Sequence, residues 1–402
     1  MIAATTLMPD LSAAVSRRTL LVLGTATVLL IADNALPDSV PFDTTAVAFV
    51  LSAVIAISAI VPALGVRFSR AGALAAAGRV GRGLLVSAVV TVGSLVAMEY
   101  AVRWVFRDIT TTSDDRGYFS QRWLRSGAVV INEHWFRERP FTAKVPGTYR
   151  IAVVGDSFTF GNGINADERF SALVQRALPA QFEVLNFGMP GNNTAEHAGL
   201  IAGQLAAVAP DFILWQWFVN DVEFDATSRP KLQALVPFPS LQDWFLSKSA
   251  AYTLANAWWT RHQVFGQTAA SYASFIQSRY RDPQSEAVRR DREAMRAVVA
   301  AARSIHAPIG MVLFPDAGYE LGAGYPFEFL HERVLEFCDE QHMTCADLRP
   351  AFAEVKNRTT LWADALDPHP SPSANAIAAI RIVKTFETTW LDAAREFSGT
   401  NR

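Results

Sequence analysis

The stretch "RIAVVGDSFTFGNG", Arg150 to Gly163, places a small hydroxyl where an apolar run ends and the chain turns. Ile151, Val153 and Val154 suit a short buried strand over Arg150–Val154. The glycines and polar residues that follow suit a turn, and Glu168–Leu178 then has the pattern of a helix. Serine at the carboxyl end of a strand is either a nucleophile or a turn-forming hydroxyl, and the rest of the chain has to decide between them.

Strand-like and helix-like segments keep alternating beyond this point. Strands are predicted at Phe182–Asn186, Phe212–Phe218, Pro308–Leu313 and Met343–Asp347. Helices are predicted at Thr194–Ala207, Ser285–Ile305, Phe327–Gln341 and Ser373–Trp390. Such alternation predicts an α/β fold with a parallel sheet covered by helices on both faces. One segment, Pro230–Asp282, is too long for an ordinary connection and carries Trp244, Phe245, Tyr252, Trp258, Trp259, Phe265, Tyr272, Phe275 and Tyr280. It is either a lid or sugar-stacking platform, or a set of aromatics buried against the domain or the membrane surface.

In an open α/β sheet ligands bind beyond the carboxyl ends of the strands. The loops there bring together Gly155-Asp156-Ser157, "NFGMPGNNT" (Asn186–Thr194), "VND" (Val219–Asp221) and "DALDPHPSPS" (Asp364–Ser373). Ser157 can attack a carbonyl if a base takes its proton, and His369 titrates near neutral pH and can do so. Asp367 lies two residues before His369 on a segment that Pro368 keeps extended, so the two share a face. It is the first choice for the acid that orients the imidazole. Asp364 is the second, and a Ser157–His369 dyad the third. The backbone N–H groups of Ser157 and Gly191 and the Asn220 amide would form an oxyanion hole. Each of these residues also has a plainer reading, as a turn glycine, an Asx turn or a solvated loop histidine. Their arrangement after successive strands favours the chemistry.

These blocks resemble the SGNH/GDSL hydrolase family from about Tyr149 to Trp390. The resemblance implies a flavodoxin-like three-layer α/β/α sandwich, Ser157 as nucleophile, Gly191 and Asn220 completing the oxyanion hole, and His369 as base. It implies that Asp156 and Asp221 brace the loops. Two positions depart from the pattern: Phe218 stands where the third block usually opens with glycine, and Leu366 stands where the acid often precedes the histidine. Thr159 replaces the last glycine of a G-x-S-x-G elbow, which argues against the α/β-hydrolase fold.

The sequence has 402 residues, a formal charge of -2 and 50% hydrophobic residues, and the apolar excess lies before Phe106. No basic block points to nucleic acid. Ala46–Val66 carries no charge and is long enough for a hydrocarbon core of ~30 Å. Gly83–Phe106 is a second apolar run, with Glu99 and Arg103 spaced to pair near its far end. Thr19–Ala32, after Arg17-Arg18, is either a short anchor or the apolar part of a signal peptide. Residues 1–106 therefore read as an N-terminal membrane anchor with two to three transmembrane helices. Arg67, Arg70, Arg79 and Arg82 put the loop between the second and third runs in the cytoplasm, and everything after Phe106 outside. Residues 107–148 read as a polar linker, and 149–392 as the catalytic domain. Cys338 and Cys345 are either a disulfide or a pair of small core residues. No metal motif and no cofactor motif is present, and none is expected.

Three functions follow as expectations. The first is an outward-facing serine esterase that removes acyl groups, acetyl foremost, from an envelope glycan or lipid-linked carbohydrate. The second is an O-acyltransferase that passes the same acyl group to a sugar hydroxyl, with a membrane acyltransferase as partner. The third is a non-catalytic glycan-binding protein of the envelope.

Overall fold

The computed structural model describes residues 73–223, 232–265 and 271–400. The chain divides into two compact units, with the boundary between Arg107 and Asp108. In the first, Ala73–Val105 is one helix, and near its end Arg103 Nε donates to Glu99 Oε1 at 2.7 Å. That ion pair, spaced as expected, interrupts the apolar run Gly83–Phe106. Among the described residues no helix is long and apolar enough to cross a membrane, so the span expected there is not found. Thr19–Ala32 and Ala46–Val66 lie outside the described residues.

The second unit is built on a five-stranded parallel sheet. Its strands are β1 (Tyr149–Gly155), β2 (Phe182–Gly188), β3 (Phe212–Trp217), β4 (Ile309–Leu313) and β5 (Cys345–Asp347). Their order is β2-β1-β3-β4-β5, the doubly wound order of flavodoxin-like folds. Every residue of β1 and β3 is buried, as strands covered on both faces require. The register aligns Val154 with Phe187 on one side and Trp215 on the other, and Gly155 with Gly188.

Helices flank the sheet in two groups. Phe170–Ala177 packs with the helix that starts at Pro372, and Thr194–Gln204 packs with Glu286–Ser304. The chain leaves β1 in one direction for β2 and returns past it to β3. With right-handed crossovers, these reversed connections place their helices on opposite faces. The five predicted strands and five predicted helices all form, with ends shifted by a few residues, apart from the last helix, which runs on well past Trp390.

Two regions differ from their composition. Residues 108–148, polar and arginine-rich, fold into the second unit rather than linking to it. Phe119 and Phe136 are fully buried, and the buried Arg137 guanidinium donates to the carbonyls of Gly161 (2.7 Å), Ile164 (2.8 Å) and Ala128 (2.9 Å). The arginine is there to satisfy backbone acceptors that water cannot reach. Among its described residues the aromatic segment forms the helices Pro239–Lys248, Ala250–Phe265 and Tyr272–Tyr280. It uses its aromatics in both expected ways: Phe275 and Tyr280 join the main core, whereas Trp244 and Trp258 are more than half exposed. Cys338 and Cys345 form a disulfide that ties the Glu328–Glu340 helix to β5.

Candidate active site

Ser157 opens a single helical turn, Ser157–Phe160, directly after β1. The Asp156 carboxylate caps that turn by accepting from Phe158 N at 2.9 Å, an N-cap in the usual sense. Gly155 has no alternative: a Cβ there would lie 2.2 Å from Thr159 Oγ1 and 2.3 Å from Gln216 Oε1. Gln216 Oε1 in turn accepts from Asp156 N (3.1 Å) and Thr159 Oγ1 (2.8 Å). This glutamine, polar in the otherwise apolar strand "FILWQW", pins the nucleophile turn from β3. That break in the apolar run was the signal that could have revealed it.

His369 lies on the second of two short antiparallel strands, β6 (Trp362–Asp364) and β7 (Asp367–Pro370). Its Nε2 is 2.9 Å from Ser157 Oγ and its Nδ1 is 2.5 Å from Asp367 Oδ1. With the proton on Nδ1 donated to the carboxylate, Nε2 is free to accept the serine proton. The ring also packs edge-on against Phe158, with centroids 5.5 Å apart.

Burial opposes charge on both partners, but their mutual attraction outweighs it. Asp367 is held well below the usual carboxylate range by the charge and hydrogen bonds of His369 and by Thr111, against the effect of burial. Burial would lower His369, yet the Asp367 carboxylate, helped by Asp156 and Asp115, pushes it up to about 8. Asp367 thus stays ionised, and the imidazole becomes a fuller base as pH rises through that value.

Asp364, the other acid considered, does not face the ring. Its Oδ2 accepts from Thr110 N (2.6 Å) and Thr111 N (3.0 Å) and lies 2.6 Å from Thr110 Oγ1. Burial raises Asp364 to about 6. Leu366, at the position where an acid was expected, is buried in the same hairpin.

Ser157 and His369 border a cavity of about 300 Å³ lined also by Ser113, Phe158, Phe218, Asn220, Tyr272 and Asp316. Phe218 replaces the usual glycine without strain, because its backbone is extended (φ −139°), and its ring packs tilted against Phe158, centroids 4.1 Å apart, to wall the cavity. Asn220 follows on a short 3-10 turn, and its Oδ1 is buried with no hydrogen-bond partner among the described residues. Asp221 accepts from Phe218 N at 3.1 Å and braces that turn. Gly191, exposed at φ +83° in the turn after β2, is not among the cavity's lining residues. Asp316 was not singled out from the sequence. It is buried beyond the end of β4, accepts from Gly318 N at 2.8 Å, and is raised to about 6 by burial. Among the described residues no group of His, Cys, Asp and Glu is arranged to hold a metal ion.

A serine, an imidazole and a carboxylate in line at the carboxyl edge of a doubly wound sheet define a serine hydrolase site. Residues 153–377 match the model of the GDSL-like Lipase/Acylhydrolase family, and the chain belongs to that family. It is accordingly a hydrolase of carboxylic esters. Solved structures similar to it include a member of the lipolytic protein G-D-S-L family from Veillonella parvula DSM 2008, at 12% identity over 60% of this chain and 99% of that one, with a TM-score of 0.37. A catalytic mutant of an acetylxylan esterase from Geobacillus stearothermophilus is 17% identical over 61% of this chain and 98% of its own, with a TM-score of 0.36. The acetyl xylan esterase AlAXEase is 15% identical over 58% and 98%, with a TM-score of 0.36. Likeness at this level carries nothing about what this chain acts on. No curated protein matches it.

Proposed function

We propose that the chain is a membrane-anchored, outward-facing serine esterase that removes small acyl groups, acetyl foremost, from an envelope carbohydrate. The observation that carries the chemistry is the Ser157–His369–Asp367 line, with hydrogen-bond distances of 2.9 and 2.5 Å. Ser157 Oγ attacks the ester carbonyl carbon as its proton passes to His369 Nε2. The tetrahedral oxyanion is received by the N–H of Ser157 and by the Asn220 amide, both on the cavity wall, and each donor contributes ~3 kcal/mol of transition-state stabilisation. Collapse breaks the bond to the alcohol, which leaves with the proton from Nε2. Water then attacks the acyl-serine, gives its proton to the same nitrogen, and releases the carboxylic acid as Ser157 is restored.

A cavity of about 300 Å³ favours a short acyl group, since it stands at the lower bound of small-ligand sites. Asp316 on its wall offers an acceptor for a sugar hydroxyl. Ala46–Val66, which lies outside the described residues, supplies the anchor. The Cys338–Cys345 disulfide suits an oxidising compartment. A reporter fused after Asp114 is expected to be active only when exported, and cytoplasmic activity there would overturn the orientation.

The chemistry is tested by supplying an acyl ester together with an acylatable glycan and analysing the products. Free acid as the main product supports the esterase. Acyl transfer outpacing hydrolysis would replace it with an O-acyltransferase, for which the sugar hydroxyl takes the place of water at the same Nε2. Failure of Ser157 to label with a fluorophosphonate in the folded protein would leave only a glycan-binding role.

A further inference from the structure

Residues 108–116 lie outside the segment matched by the family, yet they reach the far side of the catalytic carboxylate. Thr111 is buried, and its hydroxyl donates to Asp367 Oδ2. Ser113 Oγ donates to Asp367 Oδ1 at 2.9 Å and borders the same cavity as Ser157 and His369. Ser113 holds a left-handed backbone, φ +61°, a conformation costly for a residue with a side chain and typical of functional segments. The segment is fixed on its other side as well. Thr110 N and Thr111 N donate to Asp364, and Thr110 Oγ1 lies 2.7 Å from the carbonyl of Gly163. Gly163 (φ +80°) leaves room for it, since a Cβ there would come within 2.8 Å of Thr111 Oγ1.

We propose that Thr111, assisted by Ser113, is a positioning residue of the hydrolase: it holds the Asp367 carboxylate in the orientation that keeps His369 aimed at Ser157, while Asp364 secures the segment that carries it. The inference rests on the reading of Asp367 as the triad acid. A carboxylate with His369 on one side and nothing on the other is free to rotate about its side-chain bond. Thr111 on Oδ2 removes that freedom, and Ser113, on the oxygen that His369 also uses, helps it share the negative charge. The catalytic site is thereby completed by a segment joined in sequence to the N-terminal unit rather than by the family core alone.

The test uses the full-length protein and a small aryl acetate, with circular dichroism to confirm folding. Thr111→Val is expected to lower kcat on the order of 10- to 100-fold, the kinetic equivalent of one hydrogen bond to a charged group, with KM little changed. Thr111→Ser is expected to restore most of the loss. The groups facing His369 are Asp367 on its own strand, Asp156 from the nucleophile turn, Asp115 from the 108–116 segment and Asp316 beyond β4. Removing a donor from Asp367 leaves more negative charge against the imidazole, so the rising limb of the pH–rate profile is expected to move to higher pH. A merely structural threonine would not move it. Thr111→Val combined with Asp367→Asn is expected to be no slower than Asp367→Asn alone. If Thr111→Val does not fold, Ser113→Ala, at an exposed position, carries the same pH-profile test. An unchanged kcat and profile in folded Thr111→Val, beside a crippled Asp367→Asn, overturns the proposal and spares the triad. Losses that simply multiply in the double variant also overturn it. A fully active Asp367→Asn would instead sink the triad reading itself.

Discussion

Ser157 and His369, the nucleophile and base of the proposed mechanism, are held in different ways. Ser157 sits on a turn whose parts come from the strand before it and the strand beside it: Gly155 for space, Asp156 as cap, Gln216 as brace. His369 sits on a two-stranded hairpin outside the main sheet, with its acid held by residues more than 250 positions earlier in the chain. The first arrangement is local and buried in the core that folding must build anyway. The second depends on a long-range docking of one polar segment on another. Damage to the first should therefore show in stability as much as in rate, and damage to the second chiefly in rate and its pH dependence.

Ser157→Ala is the largest expected loss, at least ~10³ in turnover of a small aryl acetate in a folded protein, because among the described residues only Ser157 Oγ is hydrogen-bonded to His369 Nε2. Near-normal activity in the folded variant would end the assignment of both regions. On the hairpin side, Asp367→Asn is expected to lose ~10²–10⁴ in kcat by leaving the imidazole in the wrong tautomer. The pH dependence sharpens the same point. Neutral His369 is the active form, and it is raised to about 8, so kcat/KM should climb from pH 6 and level off above pH 8. Removing the negative partner in Asp367→Asn should move that limb down towards the ordinary histidine range. A limb that stays in place would mean another group sets it.

Gln216→Leu tests the nucleophile side. It strips the acceptor from Asp156 N–H and Thr159 Oγ1, and leaving such buried donors unpaired costs roughly 1–3 kcal/mol each. A lower denaturation midpoint is expected, with a smaller loss of rate than at Asp367. A stable but inactive variant would contradict the division drawn between the two regions. Asp364→Asn should show the smallest effect, a few-fold at most, because an amide oxygen still accepts from Thr110 N and Thr111 N. A loss exceeding that of Asp367→Asn would make Asp364 the acid.

The sequence alone carried the sheet and most of the site. Short apolar runs such as Ile151–Val154 and Phe212–Trp217 announce buried parallel strands, because covering both faces leaves no room for polar alternation. Ser157, Asn220 and His369 were legible as candidates that the fold brings to one cavity because the ends of parallel strands fall at predictable points along the chain, and Asp367 as a candidate because Pro368 keeps a two-residue spacing extended. Which acid faces the ring was settled only by the folded hairpin, which turns Asp367 towards His369 and Asp364 towards Thr110. The parts played by Thr111, Ser113 and Gln216 were decided only by the tertiary structure too. A threonine in a polar run has the same local pattern whether it faces water or a carboxylate, and only long-range packing determines which it meets. The same holds for Arg137, whose charge reads as linker and whose burial makes it a clasp on the loop behind the nucleophile.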